Sequence, residues 1–188
     1  MKLVLLRHGV TQANEKRLYC GSTDIGLSQA GKAALLLRKK ETAYPDITGL
    51  RILTSGMLRC EETLALLYGD VPHGTDAAFR EMDFGAFEMR AYEELKRDPA
   101  YQAWIAGDNE ANVAPGGESG ALMTRRVLAG LDHLLSENRD TLLVTHGGVI
   151  AAIMTRLFPA EDKNRYVWQP APGGGYTVDP DQKTYLPF

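Results

Sequence analysis

An α/β fold, a three-layer sandwich around a mostly parallel central sheet, is predicted from three observations. Leu3 to Leu6, Ile52-Leu53 with Thr54, and Leu142 to Val144 are short, unbroken apolar runs. Strands buried on both faces look like this, whereas strands with one wet face alternate. Between and after these runs the apolar residues recur at helical spacing, as they do when helices cover both faces of a sheet. The chain of 188 residues carries no internal repeat and no low-complexity linker, so one domain over 1–188 is expected.

Each element follows from local signals. Leu3 to Leu6 is the first strand. Ser28 is a plausible N-cap for a helix carrying Ala30, Ala34 and Leu37. After the strand at 52–54, Met57, Cys60, Leu64 and Leu67 mark the buried face of a helix. A helical stretch from Ala91 to Ile105 leads into a polar, Gly-rich loop through Asp108, Asn109 and Pro115-Gly116-Gly117. Ser119 is the N-cap of a longer helix with Val127, Leu128, Leu131, Leu134 and Leu135 on one face. The last helix begins near Gly147, carries Ile150, Ile153 and Met154, and stops before Pro159. From Tyr166 onward, Pro170, Pro172 and Gly173-Gly174-Gly175 predict a turn between two strands. Residues 84–118 form an excursion between two of the α/β units.

Composition excludes several function classes. Lys plus Arg is 21 against 24 for Asp plus Glu, a net charge of −3, which argues against a chain that coats nucleic acid or anionic membrane. The apolar start ends at Arg7-His8, too early for a signal peptide or a membrane span. Cys20 and Cys60 are too few for a disulfide scaffold and are not spaced as a metal ribbon. A reduced, cytoplasmic protein is expected; the oligomeric state is left open.

Polar residues of reactive types follow each buried strand at once: Arg7-His8-Gly9, then Thr54-Ser55-Gly56 with Arg59 four residues past Ser55, then Thr145-His146-Gly147-Gly148. Ligands of open parallel sheets bind outside the carboxyl ends of the strands. If the three strands are neighbours, two histidines and two arginines meet on one rim. Gly147-Gly148 opens a helix whose free N–H groups favour an anion. Two unit charges about 4 Å apart interact by roughly 4 kcal/mol at an effective dielectric near 20, so clustered arginines call for something negative between them. Forked guanidiniums and imidazoles match the several oxygens of a phosphoryl group. Taken singly, each of these residues reads as ordinary surface or packing, and His73 and His133 have no context. A metal site at His8 and His146 lacks a paired His-x-x-x-His and a nearby carboxylate ligand, so no metal is expected. The conjunction at three strand ends carries the functional reading.

Six ordered segments resemble the histidine phosphatase superfamily, with its phosphoglycerate mutase-like fold. Arg7-His8-Gly9-Val10-Thr11-Gln12-Ala13-Asn14 matches the Arg-His-Gly-x-Thr-x-x-Asn signature. Tyr19 to Asp24 with Leu27-Ser28 and Gly31, Ser55 to Thr63, Arg80 to Glu88, Pro115 to Ser119 and Val144 to Gly148 follow in the family's order. The resemblance spans about residues 3 to 157. It implies His8 as a nucleophile that becomes phosphohistidine, and Arg7, Arg59 and His146 as holders of the phosphoryl oxygens. Glu81 is implied as proton donor, with Asn14, Gly21, Ser22, Thr23 and Gly147 at the substrate. No cofactor is implied, and the partner is a small-molecule phosphate ester. Where the family pattern continues Glu-Gly, this chain has Glu88-Met89.

The chain is short for a cofactor-dependent mutase, and lacks the Tyr-Gly-x-Leu-x-Gly-x-x-Lys run and paired arginines that such mutases share. A phosphatase is therefore expected, similar to the α-ribazole-phosphate or sugar-phosphate phosphatases. Residues 84–118 would roof the pocket as a lid that sets specificity, with Tyr92, Tyr101 and Trp104 able to touch an organic leaving group. The alternatives are phosphoglycerate mutase-type transfer and a non-catalytic phospho-ligand-binding module.

Overall fold

The computed structural model describes residues 1–107 and 110–188. Asp108 and Asn109, expected in the polar loop, lie outside the described residues. In chain order the elements are β1 (Leu3–Arg7), α1 (Gln12–Glu15), α2 (Gln29–Glu41), β2 (Arg51–Thr54), α3 (Leu58–Tyr68) and β3 (Gly74–Thr75). After these come α4 (Tyr92–Leu95), α5 (Pro99–Ile105), α6 (Gly120–Glu137), β4 (Thr141–Thr145), α7 (Gly147–Leu157), β5 (Gly175–Asp179) and β6 (Thr184–Pro187). The sheet runs β3-β2-β4-β1-β5-β6. Pairings β2–β3, β2–β4 and β1–β4 are parallel, while β5 and β6 join antiparallel at one edge. The three apolar runs are therefore adjacent strands, with Leu6 beside Val144 and Thr54 beside it on the other side.

Two cores account for the unbroken apolar pattern. Val4, Leu6, Leu142 and Val144 face Leu35 of α2 and Cys60, Leu64 and Leu67 of α3. Leu3, Leu5 and Leu143 face the opposite way, onto Met123, Val127, Leu131 and Leu134 of α6 and Ile150 and Ile153 of α7. Alternate side chains of one strand feed different layers, so a strand with no wet face has no polar position to offer. Ser119 caps α6 as expected, accepting from the Leu122 amide at 3.1 Å, and α7 begins and ends where predicted. Among the described residues no helix is long and apolar enough to cross a membrane.

Four expectations are corrected. Ser28 does cap α2, accepting from the Gly31 amide at 2.9 Å. The buried face is nevertheless Gly31 and Leu35, whereas Ala30, Ala34 and Leu37 point to solvent. The buried face lies one residue on from the expected one, where Leu35 reaches the core under β1 and β4. The helical stretch expected over Ala91–Ile105 is two helices, because Pro99 bars its predecessor from helical backbone, and Asp98 instead caps α5 through the Ala100 amide. Arg165–Trp168 is a 3-10 turn, so the glycine run precedes both terminal strands rather than separating them. The short exposed β3 carries no apolar signal and is absent from the sequence reading.

At Glu88-Met89 the turn survives the loss of glycine. Met89 has φ +58°, a left-handed conformation that costs a side chain about 1–2 kcal/mol, and its amide donates to the Tyr19 carbonyl at 2.7 Å. Met89→Gly is expected to stabilise the fold by about 0.5–1 kcal/mol, the relief of strain outweighing the added freedom of the unfolded chain. In thermal unfolding this is a rise of about 2 °C. A Met89→Gly variant less stable than the parent would contradict it.

Candidate active site

Three strand ends and the start of one helix build the site. His8 leaves β1 and is 6% exposed. Its Nδ1 lies 2.7 Å from the Gly9 carbonyl oxygen. A carbonyl only accepts, so Nδ1 carries the proton and Nε2 holds the lone pair. Gly9 is fixed in turn, its amide donating to Thr63 Oγ1 at 2.9 Å.

His146 ends β4, fully buried, its ring edge-on to His8 with centroids 5.1 Å apart. Arg59 Nε–H donates to its Nδ1 at 3.3 Å. Nε2 therefore carries the proton and donates to Ser55 Oγ at 2.9 Å. The spacing of Ser55, Arg59 and Thr63 now has a cause. Arg59 and Thr63, four apart on one face of α3, reach His146 and Gly9, and Ser55, in the turn before the helix, reaches His146 from the end of β2.

Arg59 is 1% exposed. Besides His146 it donates to the carbonyls of Gly21 at 2.7 Å and Thr23 at 3.0 Å. Glu62, three residues on, accepts from Lys32 at 2.6 Å and from the Leu27 amide at 2.6 Å. Arg7 donates from Nη1 to the Pro170 carbonyl at 2.7 Å, and its buried Nε has no hydrogen-bond partner among the described residues. Gly147 and Gly148 are small for a reason. A Cβ at Gly147 would sit 3.0 Å from Arg7 Cζ, and one at Gly148 would overlap the Glu81 carboxylate. Glu81 accepts from the Gly148 amide at 3.0 Å, at the N-terminus of α7, and from its own neighbour Met82 at 3.0 Å.

The structure therefore brings together Arg7, His8, Arg59, Glu81 and His146. Arg7, His8, Asn14, Glu81 and Gly148 line one end of a cavity of about 430 Å³. Its wall is apolar, from Tyr19, Phe84, Trp104, Ile105 and Met123, and Arg165 with its ion-pair partner Glu110 stands at the far end.

Gly21, Ser22 and Thr23 are placed differently from the expectation. Their three amides and Thr23 Oγ1 donate to the Glu88 carboxylate at 2.6–3.2 Å, so the loop is held from behind and presents two carbonyls to Arg59. Glu88 also accepts from the Phe84 amide at 3.0 Å. Asn14 lines the cavity but spends Oδ1 on the Thr11 amide and hydroxyl. Of the three aromatics of the roof, only Trp104 reaches the cavity. Tyr101 is buried behind Tyr19, their hydroxyls 2.6 Å apart, and Tyr92 points outward. Sequence reasoning placed Ser55 and Gly148 at the strand ends without giving either a role of its own, and missed Glu88. The four-residue spacing from Ser55 to Arg59 and the second glycine after His146 were the available signals.

Burial and the arginines Arg59 and Arg7 push the His8 imidazole down to about 3, against a weaker opposing pull from the Gly9 carbonyl. His146 is pushed well below its ordinary range by burial and then by His8, Arg59, Arg7 and Arg126. Both rings are neutral at neutral pH, as a nucleophile must be. Unfolded, each takes a proton near 6.5. Between that pH and the folded value the unfolded chain binds more protons, so stability rises with pH. The contribution is complete above about pH 7 and is lost as pH falls below 6.5. A His8→Asn variant is expected to lose less stability than the parent between pH 6 and pH 5, by about 1 kcal/mol in urea unfolding. Equal pH slopes would refute the neutral buried ring.

Comparison with known proteins gives the chain's relatives. The family described as "Histidine phosphatase superfamily (branch 1)" matches residues 3–185. The adenosylcobalamin/alpha-ribazole phosphatase of Salmonella typhimurium is 35% identical over 168 residues, covering 84% of this chain and 79% of the relative. A 2,3-bisphosphoglycerate-dependent phosphoglycerate mutase of Beijerinckia indica is 30% identical over 174 residues, covering 81% and 78%. Among solved structures, the alpha-ribazole phosphatase of Shigella flexneri superposes with a TM-score of 0.81 at 28% identity, covering 99% and 94%. With His8, His146, Arg7 and Arg59 brought together from three strand ends, and a family match along nearly its whole length, the chain belongs to the histidine phosphatase superfamily.

Proposed function

We propose that the protein hydrolyses the phosphate monoester of a small metabolite by way of a phosphohistidine on His8. The observation that carries this is the pair of tautomers. His8 has a lone pair at Nε2 with no hydrogen-bond partner among the described residues, whereas both nitrogens of His146 are engaged. In the first step Nε2 forms a bond to phosphorus as the ester P–O bond breaks. The electron pair leaves with the ester oxygen, which takes a proton from Glu81. In the second, water attacks phosphorus and gives a proton to Glu81, and the P–N electrons return to His8. Arg7, Arg59 and the amides opening α7 hold the phosphoryl oxygens as charge develops on them, and His146 orients Arg59 from behind. Splitting the displacement lets one cationic bowl serve both transfers.

The leaving group lies along the apolar wall, under residues 84–118 acting as roof and specificity segment. An aromatic nucleoside 5′-phosphate such as α-ribazole 5′-phosphate suits the Tyr19, Phe84 and Trp104 surface, and the phosphatase relatives support that choice over a sugar phosphate. Small acidic phosphoglycerates suit it poorly, which favours hydrolysis over mutase chemistry. The setting proposed is the cytoplasm, which the two unpaired thiols support.

The test is phosphate release from p-nitrophenyl phosphate and α-ribazole 5′-phosphate, with and without EDTA. Turnover of both, unchanged by chelation and with α-ribazole 5′-phosphate preferred by kcat/KM, is the expected result. Loss of activity in EDTA would point to a metal hydrolase. Exchange between 2- and 3-phosphoglycerate would favour the mutase, and no turnover on any phosphate the binding module.

A further inference from the structure

The segment that carries Glu81 is irregular backbone. A short 3-10 turn at Ala77–Phe79 runs into extended residues; the turn's own bond takes the Ala77 carbonyl and Thr145 Oγ1 takes that of Phe79, so the carbonyls of Ala78, Arg80 and Glu81 need donors from elsewhere. One side chain supplies them. Arg126, on α6, donates from Nη1 to the carbonyls of Ala78 at 3.0 Å, Arg80 at 3.0 Å and Ala77 at 3.3 Å, and from Nη2 to that of Glu81 at 3.5 Å. The same guanidinium is gripped by Glu118, with Nε to Oε1 at 3.1 Å and Nη2 to Oε2 at 2.7 Å. Glu118 completes the frame on the far side of Glu81. Its Oε2 accepts from the Asp83 amide at 3.2 Å, and its own amide donates to the Asp83 carbonyl at 2.8 Å.

Arg126 and Glu118 thus span Glu81 from both sides while making no contact with the cavity, whose lining includes neither. A bidentate guanidinium has a fixed plane, so Glu118 sets its angle, and that angle sets where the carbonyls of 77–81 sit. The carboxylate of Glu81 is then delivered to the Gly148 amide at the start of α7. We propose that Arg126, oriented by Glu118, is the positioning residue for the proton donor. The inference rests on Glu81 being that donor, and the experiment separates the two.

The variants are Arg126→Lys, Glu118→Gln, Glu81→Gln and the Glu81→Gln/Arg126→Lys double. They are assayed by kcat/KM, which covers the chemistry through departure of the alcohol, on esters from p-nitrophenyl phosphate to glycerol phosphate. p-Nitrophenolate leaves without a proton and an alkoxide does not. A misplaced donor therefore costs only the poor leaving groups, whereas a generally loosened fold costs both alike. Arg126→Lys is expected to lose about 10- to 100-fold on glycerol phosphate and less than about 3-fold on p-nitrophenyl phosphate. Lysine keeps the charge and lacks the fork, so it does not rescue. Glu118→Gln is expected to show the same slope in milder form. The double variant is expected to be no slower on glycerol phosphate than Glu81→Gln alone, because a donor already removed cannot be misplaced.

Equal losses on both esters, or additive losses in the double variant, would overturn the positioning role while leaving Glu81 as the acid. A flat leaving-group profile for Glu81→Gln itself would instead overturn the reading of Glu81. If Arg126→Lys fails to fold and Glu118→Gln folds with a flat profile, the pair supports the fold alone and the proposal is lost.

Discussion

His8→Ala is expected to fold, to bind inorganic phosphate, and to form no acid-labile phosphoenzyme. Its turnover should fall by at least about 10⁴-fold, the scale on which removing the nucleophile of a covalent mechanism acts. The geometry separates this variant sharply from His146→Ala. In the folded protein His8 Nδ1 is committed to the Gly9 carbonyl and Nε2 is open, so its removal deletes the atom that bonds phosphorus. His146 has Arg59 on one nitrogen and Ser55 on the other. Its loss leaves the nucleophile in place and weakens the clamp, so some phosphoenzyme should still form from p-nitrophenyl phosphate. Rapid-quench trapping of labelled enzyme distinguishes them. Phosphoenzyme in His8→Ala, or none in His146→Ala with an intact His8, would exchange the two roles.

The second large effect is expected from Arg59→Lys. Three fixed groups accept from this guanidinium: His146 Nδ1 and the carbonyls of Gly21 and Thr23. A lysine ammonium is a point charge without the planar fork and cannot meet all three. At least one buried acceptor then goes unpaired, at about 1–3 kcal/mol. Removing a preorganised donor to the phosphoryl oxygens should lower kcat by about 10²–10³-fold, with a weaker inhibition constant for orthovanadate. The loss should also reach stability, since Arg59 is among the largest fully buried side chains. Wild-type kcat and vanadate affinity in Arg59→Lys would show that the bowl works without it.

Much of this site was legible because its residues stand at positions that local rules mark. Arg7-His8, Ser55-Gly56 and His146-Gly147 each follow an apolar run, and a strand end on a parallel sheet is where a ligand binds. What local rules do not carry is the set of partners across space. Glu88 reads as one more surface carboxylate after Phe87, yet its two oxygens collect amides 65 to 67 residues earlier in the chain as well as the one at Phe84. Likewise the face of α2 went wrong by one residue, because small alanines mark a face weakly, and the buried face is set by contacts from elsewhere in the chain: Gly31 lies against the Val10 carbonyl and Leu35 packs in the core.

Hydrophobic order along the chain was enough by itself to specify the layers. A strand apolar at every position can be satisfied only with helices on both sides, and three such strands carry reactive residues at their ends, which share one rim because the strands are neighbours in the sheet. Tertiary structure alone decided the division of labour within that rim. Tautomer, burial and the spare lone pair at His8 depend on which carbonyl, guanidinium or hydroxyl from a distant segment lies within 3.5 Å of each ring, and an unfolded sequence holds no such distances.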